Sequence, residues 1–276
     1  MSAIAPTTKL PRLGSTGRLG FHRVLLSEGT KLRSVRSTAW SLVAGFLLTI
    51  AFPVVFAFVT RSHWHSMSPG DRRGRHPLDI ALAGVNVAQL AIAVLGVLLI
   101  SAEYSTGSIR STFTAVPRRL PVLWAKLLDY AVLSFVLMVP AVLVSFFATQ
   151  AILTSIPQLQ ISFTQAGVAR SVLGGAVYVT LVGIFALAIG AIVRNTAGGI
   201  AAFAAIFFVL PPLMFTLPTS WNNAISQYLP SEAGRQIFAL QHAAHTLRPL
   251  TGGLVLAAYC AAAIVIAAVL LVRRDV

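Results

Sequence analysis

Acidic side chains are scarce in this sequence, with seven Asp and Glu against 21 Lys and Arg in 276 residues. None of the seven falls in the middle of a long apolar run. That removes the intramembrane carboxylates with which proton- and sodium-coupled carriers hold their ion, and it leaves no carboxylate pair for general acid–base chemistry. Cysteine is nearly absent. Cys260 stands alone in the last apolar run, so no intramolecular disulfide and no cysteine-based metal cluster can form. The G-x-x-x-x-G-K-[ST] loop that cradles nucleotide phosphates is missing, as is any Ser-His-Asp arrangement, and the chain is not expected to be an enzyme. The histidines form two pairs, His63-Trp64-His65 and His242-Ala243-Ala244-His245. Neither pair has an acidic or cysteine partner nearby in sequence, so interfacial or solvated imidazoles are expected rather than metal ligands.

What the chain has instead is apolar length. Hydrophobic residues make up 57% and charged residues 10%, with a mean hydropathy of +0.82, which leaves little room for a soluble domain. Uncharged stretches of roughly 20 residues, enough to cross about 30 Å of hydrocarbon as helix, occur at 39–60, 80–102, 130–150, 171–193, 197–217 and 250–272. Barrel strands need only about ten residues of alternating character, and these runs are longer and do not alternate. The expected fold is an all-α integral membrane domain of six transmembrane helices over 21–276, preceded by a loose tail at 1–20 marked by Pro6, Pro11, Gly14, Gly17 and Gly20. The first run is too long for a signal h-region and lacks an A-x-A-like end, so the N-terminus is expected to stay attached.

Orientation follows from the distribution of Lys and Arg between spans. With the N-terminus inside, cytoplasmic segments carry 14 of them and outer segments carry 7, four of the latter (Arg61, Arg72, Arg73 and Arg75) in the first outer loop. Both termini are expected in the cytoplasm. The net charge of +14 is what the orientation rule and anionic lipid already require, so membrane lipid rather than nucleic acid is the expected partner of this charge.

Two polar segments stand out on that side. From Phe21 to Arg36 an apolar face of Phe21, Val24, Leu25, Leu32 and Val35 is flanked by Arg23, Lys31, Arg33 and Arg36, the pattern of a helix lying in the membrane interface. Glu28 interrupts the stripe and either pairs locally with Lys31 or faces a partner. The second segment, Ser101 to Arg119, closes the second span at Glu103, bends at Gly107 and continues through Ile109, Arg110, Phe113 and Val116 to Pro117. It reads either as a basic loop in which Glu103 pairs with Arg110 or Lys126, or as a short helix offering an apolar edge and a cation to a soluble protein.

Together, Ser27-Glu28-Gly29-Thr30-Lys31-Leu32-Arg33 ahead of the first span and Glu103-Tyr104-Ser105-Thr106-Gly107-Ser108-Ile109-Arg110 closing the second resemble the permease subunits of ABC-2 type transporters, in the form seen in high-GC Gram-positive bacteria. Arg194-Asn195-Thr196 at a tight turn between spans four and five extends the resemblance over nearly the whole chain. It implies a multi-pass permease of the bacterial plasma membrane that moves a lipophilic or amphiphilic substrate. A second permease copy or close paralogue would pair with it, and a separate P-loop ATPase subunit would hold the ATP and Mg²⁺, with no cofactor bound by this chain. It further implies that Glu28, Lys31 and Arg33 in one segment, and Glu103, Tyr104, Thr106, Gly107, Ile109 and Arg110 in the other, dock the ATPase. Gly29 departs from the pattern, standing where similar sequences often carry an aromatic residue, which weakens or kinks the interfacial helix. A non-transporting membrane anchor or assembly protein, and an ATP-independent carrier or channel, are the competing readings of the same composition.

Within the spans, Asn86 and Gln89 either hydrogen-bond a neighbouring helix or line a substrate path. Asp129, at the edge of span three, is expected to be an interfacial residue paired near Lys126. Small residues at Gly183, Ala186 and Gly190, and at Gly253, Ala257 and Ala261, predict close helix approach. Pro53, Pro140 and Pro211-Pro212 predict bends. The segment between spans five and six, with Trp221, Tyr228 and Pro230, reads as an external interfacial or re-entrant hairpin of two short helices.

Overall fold

The computed structural model describes residues 22, 25–27, 29, 30, 36–107, 119–240 and 246–273, with backbone alone for 36–38 and 119. The expected tail at 1–20 and most of the interfacial helix lie outside them. In lipid, every backbone N–H and C=O must find its partner within the protein, and a helix does this locally. Among the described residues, six helical stretches are long and apolar enough to cross a membrane, namely Ala39–Ser66, Pro77–Ser105, Leu120–Ser155, Val168–Val193, Thr196–Met214 and Pro249–Arg273. Among the described residues there is no strand.

The elements run as α1 (Arg36–His63), α2 (Pro69–Arg73), α3 (Pro77–Ala81), α4 (Ala83–Ser105), α5 (Arg119–Ile152), α6 (Val168–Val193), α7 (Thr196–Ala204), α8 (Leu210–Met214), α9 (Thr219–Ile225), α10 (Pro230–Arg235) and α11 (Pro249–Arg273). The third span begins about ten residues before the uncharged run does. Charge does not end the helix there because Lys126 is ion-paired and Asp129 is also engaged, so neither is left bare in an apolar setting.

Helix α6 is the centre of the bundle. Of its most apolar stretch 67% is buried, and of that of α4 56%, whereas α1 and the span formed by α7 and α8 are buried over only 22% and 17%. The α4–α6 interface is the most extensive in the molecule, and glycine makes it possible. A Cβ on Gly96 would stand 2.5 Å from Gly183 O, and one on Gly190 would stand 3.0 Å from Val97 O, so the two backbones touch where small residues allow it. The expected stripe of Gly183, Ala186 and Gly190 thus faces α4 and α5. The expected stripe on α11 does not hold its register: that helix packs through Gly252, Leu256, Cys260, Ala263, Ala267 and Leu271, leaving Ala261 exposed. The register is set by Gly252, whose missing Cβ makes room for Ala233 O.

Breaks in the spans are repaired by side chains or by helix widening. Between α3 and α4, Val85 N–H donates to Leu82 O rather than to Ala81 O, and the freed Ala81 carbonyl accepts from Ser145 Oγ at 2.7 Å. In the fifth span, residues Ala205–Val209 form a π-helical stretch just before Pro211 and Pro212. Each proline lacks an N–H and its ring crowds the carbonyl four residues back, and the wider turn accommodates both.

Tyr130 fills the space beside Gly183 and donates its hydroxyl to Ile92 O at 2.6 Å. Gly183→Ala places a methyl against that hydroxyl. It should destabilise the protein by about 1–3 kcal/mol, read as a lowered melting temperature in lipid nanodiscs. Gly74→Ala, at an exposed glycine whose Cβ meets nothing closer than 3.8 Å, should leave the melt unchanged.

Candidate functional site

At the end of the bundle where α4 stops and α5 begins, three polar contacts converge. Glu103, in the last turn of α4, accepts from Lys126 Nζ of α5 at 2.8 Å, with the two side chains only 14% and 5% exposed. Glu103 thus pairs with Lys126, one of the two partners open to it; the other, Arg110, lies outside the described residues. Lys126 lies about two turns inside α5, and its long stem reaches across to α4 so that its ammonium meets a carboxylate.

Beside this pair, the Arg194 guanidinium lies 5.0 Å over the Tyr104 ring, a cation–π contact. Its Nη2 also donates to Leu270 O of α11 at 3.1 Å. Arg194 is the C-cap of α6 in the left-handed conformation, φ 58°, with its N–H on Gly190 O. That backbone turn aims its side chain back across α4 and α11. Asn195 then caps α7, its Oδ1 accepting from Gly198 N at 2.9 Å, and Thr196 Oγ1 shares a hydrogen bond of 2.8 Å with Ser101 Oγ. A tight polar turn is thereby tied to three helices at once.

α4 itself ends at Gly107, whose φ of +71° carries the chain out of the helix while its N–H returns to Tyr104 O at 3.3 Å. Thr106 Oγ1 donates to Ala102 O at 2.8 Å. Ser105, Thr106 and Gly107 are exposed and form the accessible rim of this end.

The N-terminal segment meets the same place. Leu25 packs on Val122 and Ala125 of α5, Gly29 faces the Asp129 carboxylate at 3.9 Å from where a Cβ would stand, and Thr30 Oγ1 donates to Leu26 O at 2.8 Å. The first turns of α5 therefore receive the N-terminal segment on one side and the end of α4 on the other. Of the residues expected to dock a partner, Glu103, Tyr104, Thr106 and Gly107 sit together here, with Glu103 and Tyr104 half-buried and Thr106 and Gly107 exposed. Glu28, Lys31, Arg33, Ile109 and Arg110 lie outside the described residues. Sequence reasoning missed Arg194 as a side chain; the Arg-Asn-Thr turn was visible, but not that a left-handed cap would swing its guanidinium onto Tyr104.

Asn86 and Gln89 lie at the other half of α4. Gln89 is buried and accepts from Tyr178 of α6, while its Nε2 donates to Asn86 O at 2.9 Å. Its amide is thus committed to holding α4 and α6 together. Among the described residues no grouping of three or more His, Cys, Asp and Glu could hold a metal ion, and the Cys260 thiol donates to Leu181 O at 3.3 Å. No known protein family matches the chain, and no curated protein resembles it closely enough to match.

Two outcomes test this arrangement. Lys126→Ala removes the cation paired with the largely buried Glu103 carboxylate and should cost about 3 kcal/mol, whereas the exchanged pair Glu103→Lys with Lys126→Glu should recover most of that loss in a nanodisc melt. Gly107→Ala, though nothing lies within 4 Å of its Cβ position, should destabilise the end of α4 locally by about 1–2 kcal/mol through the left-handed backbone alone. It should also speed amide exchange over 102–107 without altering the melt of the bundle core.

Proposed function

We propose that this chain is the membrane-spanning permease subunit of an ABC-2 type exporter. It moves a lipophilic or amphiphilic substrate with energy from ATP hydrolysed on a separate P-loop ATPase. The observation that carries the reading is the convergence of the two motif-bearing segments, the N-terminal one through Leu25 and Gly29 and the end of α4 through Glu103, on the first turns of α5. A soluble subunit pushing on either segment acts on the same helix. Rigid polar ties then pass the displacement to the α6–α7 turn and to α11 through Arg194.

In this reading the Glu103 end faces the cytoplasm of a bacterial cell, in keeping with the excess of Lys and Arg there, and both termini lie inside. Residues 21–36 form the interfacial helix, and the segment from α9 to α10 is the external re-entrant hairpin. Two permease chains, identical or closely related, pair above two ATPases. The weakly buried α1 and α7–α8 faces leave apolar surface for that pairing. ATP and Mg²⁺ belong to the ATPase, whose closure rocks the bundle and releases substrate outward.

The test is purification of the tagged chain from its host in nanodiscs, with identification of the proteins that accompany it. A P-loop ATPase in stoichiometric amount is expected. Thr106→Glu, at an exposed site that leaves the ion pair intact, should abolish that capture while the nanodisc melt stays unchanged. Recovery of the chain without an ATPase, under conditions that keep other membrane complexes whole, would overturn the assignment. The exchanged pair Glu103→Arg with Lys126→Glu separates two roles for Glu103. Capture is restored if the carboxylate serves the α4–α5 tie alone, and stays lost if it also touches the ATPase.

A further inference from the structure

At the end opposite Glu103, the chain carries a second acid–base pair in a very different setting. Glu232 and Arg235, three residues apart on α10, are joined by Arg235 Nη1 donating to Glu232 Oε1 at 3.2 Å. They line a cavity of about 550 Å³ between α10 and the end of the fifth span, within the roughly 300–1,000 Å³ of small-molecule sites. The Glu232 side chain is 33% exposed and that of Arg235 43%. Among the described residues that single bond is the one hydrogen bond each side chain makes. A guanidinium has five N–H donors and a carboxylate two acceptor oxygens, so both charges keep unspent bonding capacity.

The pair is not at the bundle's edge. Gly234, next to Arg235, packs so closely on Tyr178 that a Cβ would come within 2.5 Å of its ring. Tyr178 is ten residues into α6, about 15 Å along it. A charged pair at that depth is costly unless something polar meets it. The fifth span contributes an apolar and aromatic part of the lining, including Phe208, Pro211 and Phe215, while Asn222, Asn223 and Gln227 add neutral polar groups; Phe215 is 78% exposed. The prolines and the π-helical stretch ahead of them shape that apolar part.

We propose that this cavity binds the head group of a zwitterionic phospholipid, with phosphate on Arg235 and ammonium on Glu232, and its first acyl carbons along Phe215. Charge balance decides the class. The pair is neutral overall, so an anionic head group meets Arg235 at the cost of facing Glu232, and a cationic one meets the reverse; a ligand carrying both charges satisfies both. The apolar part of the lining decides between a lipid and a free phosphate ester, because only the lipid has a chain to place there. The inference does not use the transport reading, and its test needs no ATPase.

The experiment is native mass spectrometry of the full chain released from nanodiscs holding equal phosphatidylethanolamine and phosphatidylglycerol. The chain is expected to retain phosphatidylethanolamine in preference. Arg235→Gln should lower that retention about tenfold, the equivalent of one lost charge-assisted hydrogen bond. Glu232→Gln, which leaves a lone cation, should turn the preference toward phosphatidylglycerol. Because either change loosens α10, Phe215→Ala serves as a third variant: at an exposed position it should lower retention with no change in the melt. Equal retention of the two lipids by the unaltered chain, or variants that retain lipid as it does, would overturn the proposal. Stripping of the bound lipid by free phosphoethanolamine would overturn the choice of a lipid as the occupant.

Discussion

The close approach of α4 and α6 is the contact on which the rest of this bundle depends. Between helices in lipid there is no hydrophobic gain to be had, since the surrounding tails are as apolar as the side chains, so association rests on packing and on hydrogen bonds made across the interface. Gly96, Gly183 and Gly190 supply the first, letting the two backbones meet. Gln89 and Tyr178 supply the second. Once that pair is fixed, Tyr130 is seated beside Gly183 with its hydroxyl on Ile92 O, which brings α5 in. Gly234 then admits α10, and Gly174 the Ile237 backbone just after it, against the other half of α6. The peripheral helices add area but do not choose the arrangement.

The number of spans, their positions and their helical character were legible in composition alone, because length without charge has one stable form in lipid. The start of the third span was not. Lys126 and Asp129 read as boundary residues, and only a partner makes it affordable to keep such charges inside a helix, which for Lys126 is Glu103 of α4. The small-residue stripe on α6 was readable and that on α11 was misplaced by one position. Spacing gives the faces of a helix, but the face used is chosen by the neighbour, here Ala233 pressing on Gly252.

The candidate site was legible in part for a similar reason. Glu103, Tyr104, Thr106 and Gly107 could be singled out by their place between two apolar runs, and the pairing of Glu103 with Lys126 was one of the arrangements the sequence left open. What the sequence could not convey is that Glu103 and Tyr104 are half-buried while Thr106 and Gly107 are exposed, because the path of the chain at a helix end is set by the cap. Gly107 in the left-handed region fixes that path. Arg194 shows the same principle from the other side: a cap with φ 58° turns what looks like a loop cation into a tie among three helices.

Comparison of the two acid–base pairs shows how setting decides role. Glu103 and Lys126 belong to different helices, are almost closed to solvent and meet at 2.8 Å, so their attraction holds α4 to α5. Breaking the pair is costly because a charge in a poor solvent loses its counter-charge. Glu232 and Arg235 belong to one short helix, stand at 3.2 Å and stay open to a cavity. An exposed pair three residues apart contributes only about 0.3–0.5 kcal/mol to its own helix, too little to explain why two charges are carried into an apolar bundle. Residues that cost the fold more than they return to it locally are where a ligand is the better account. The cavity beside them, lined in part by this pair and neutral polar side chains and in part by aromatic ones, has the polarity of an amphiphile.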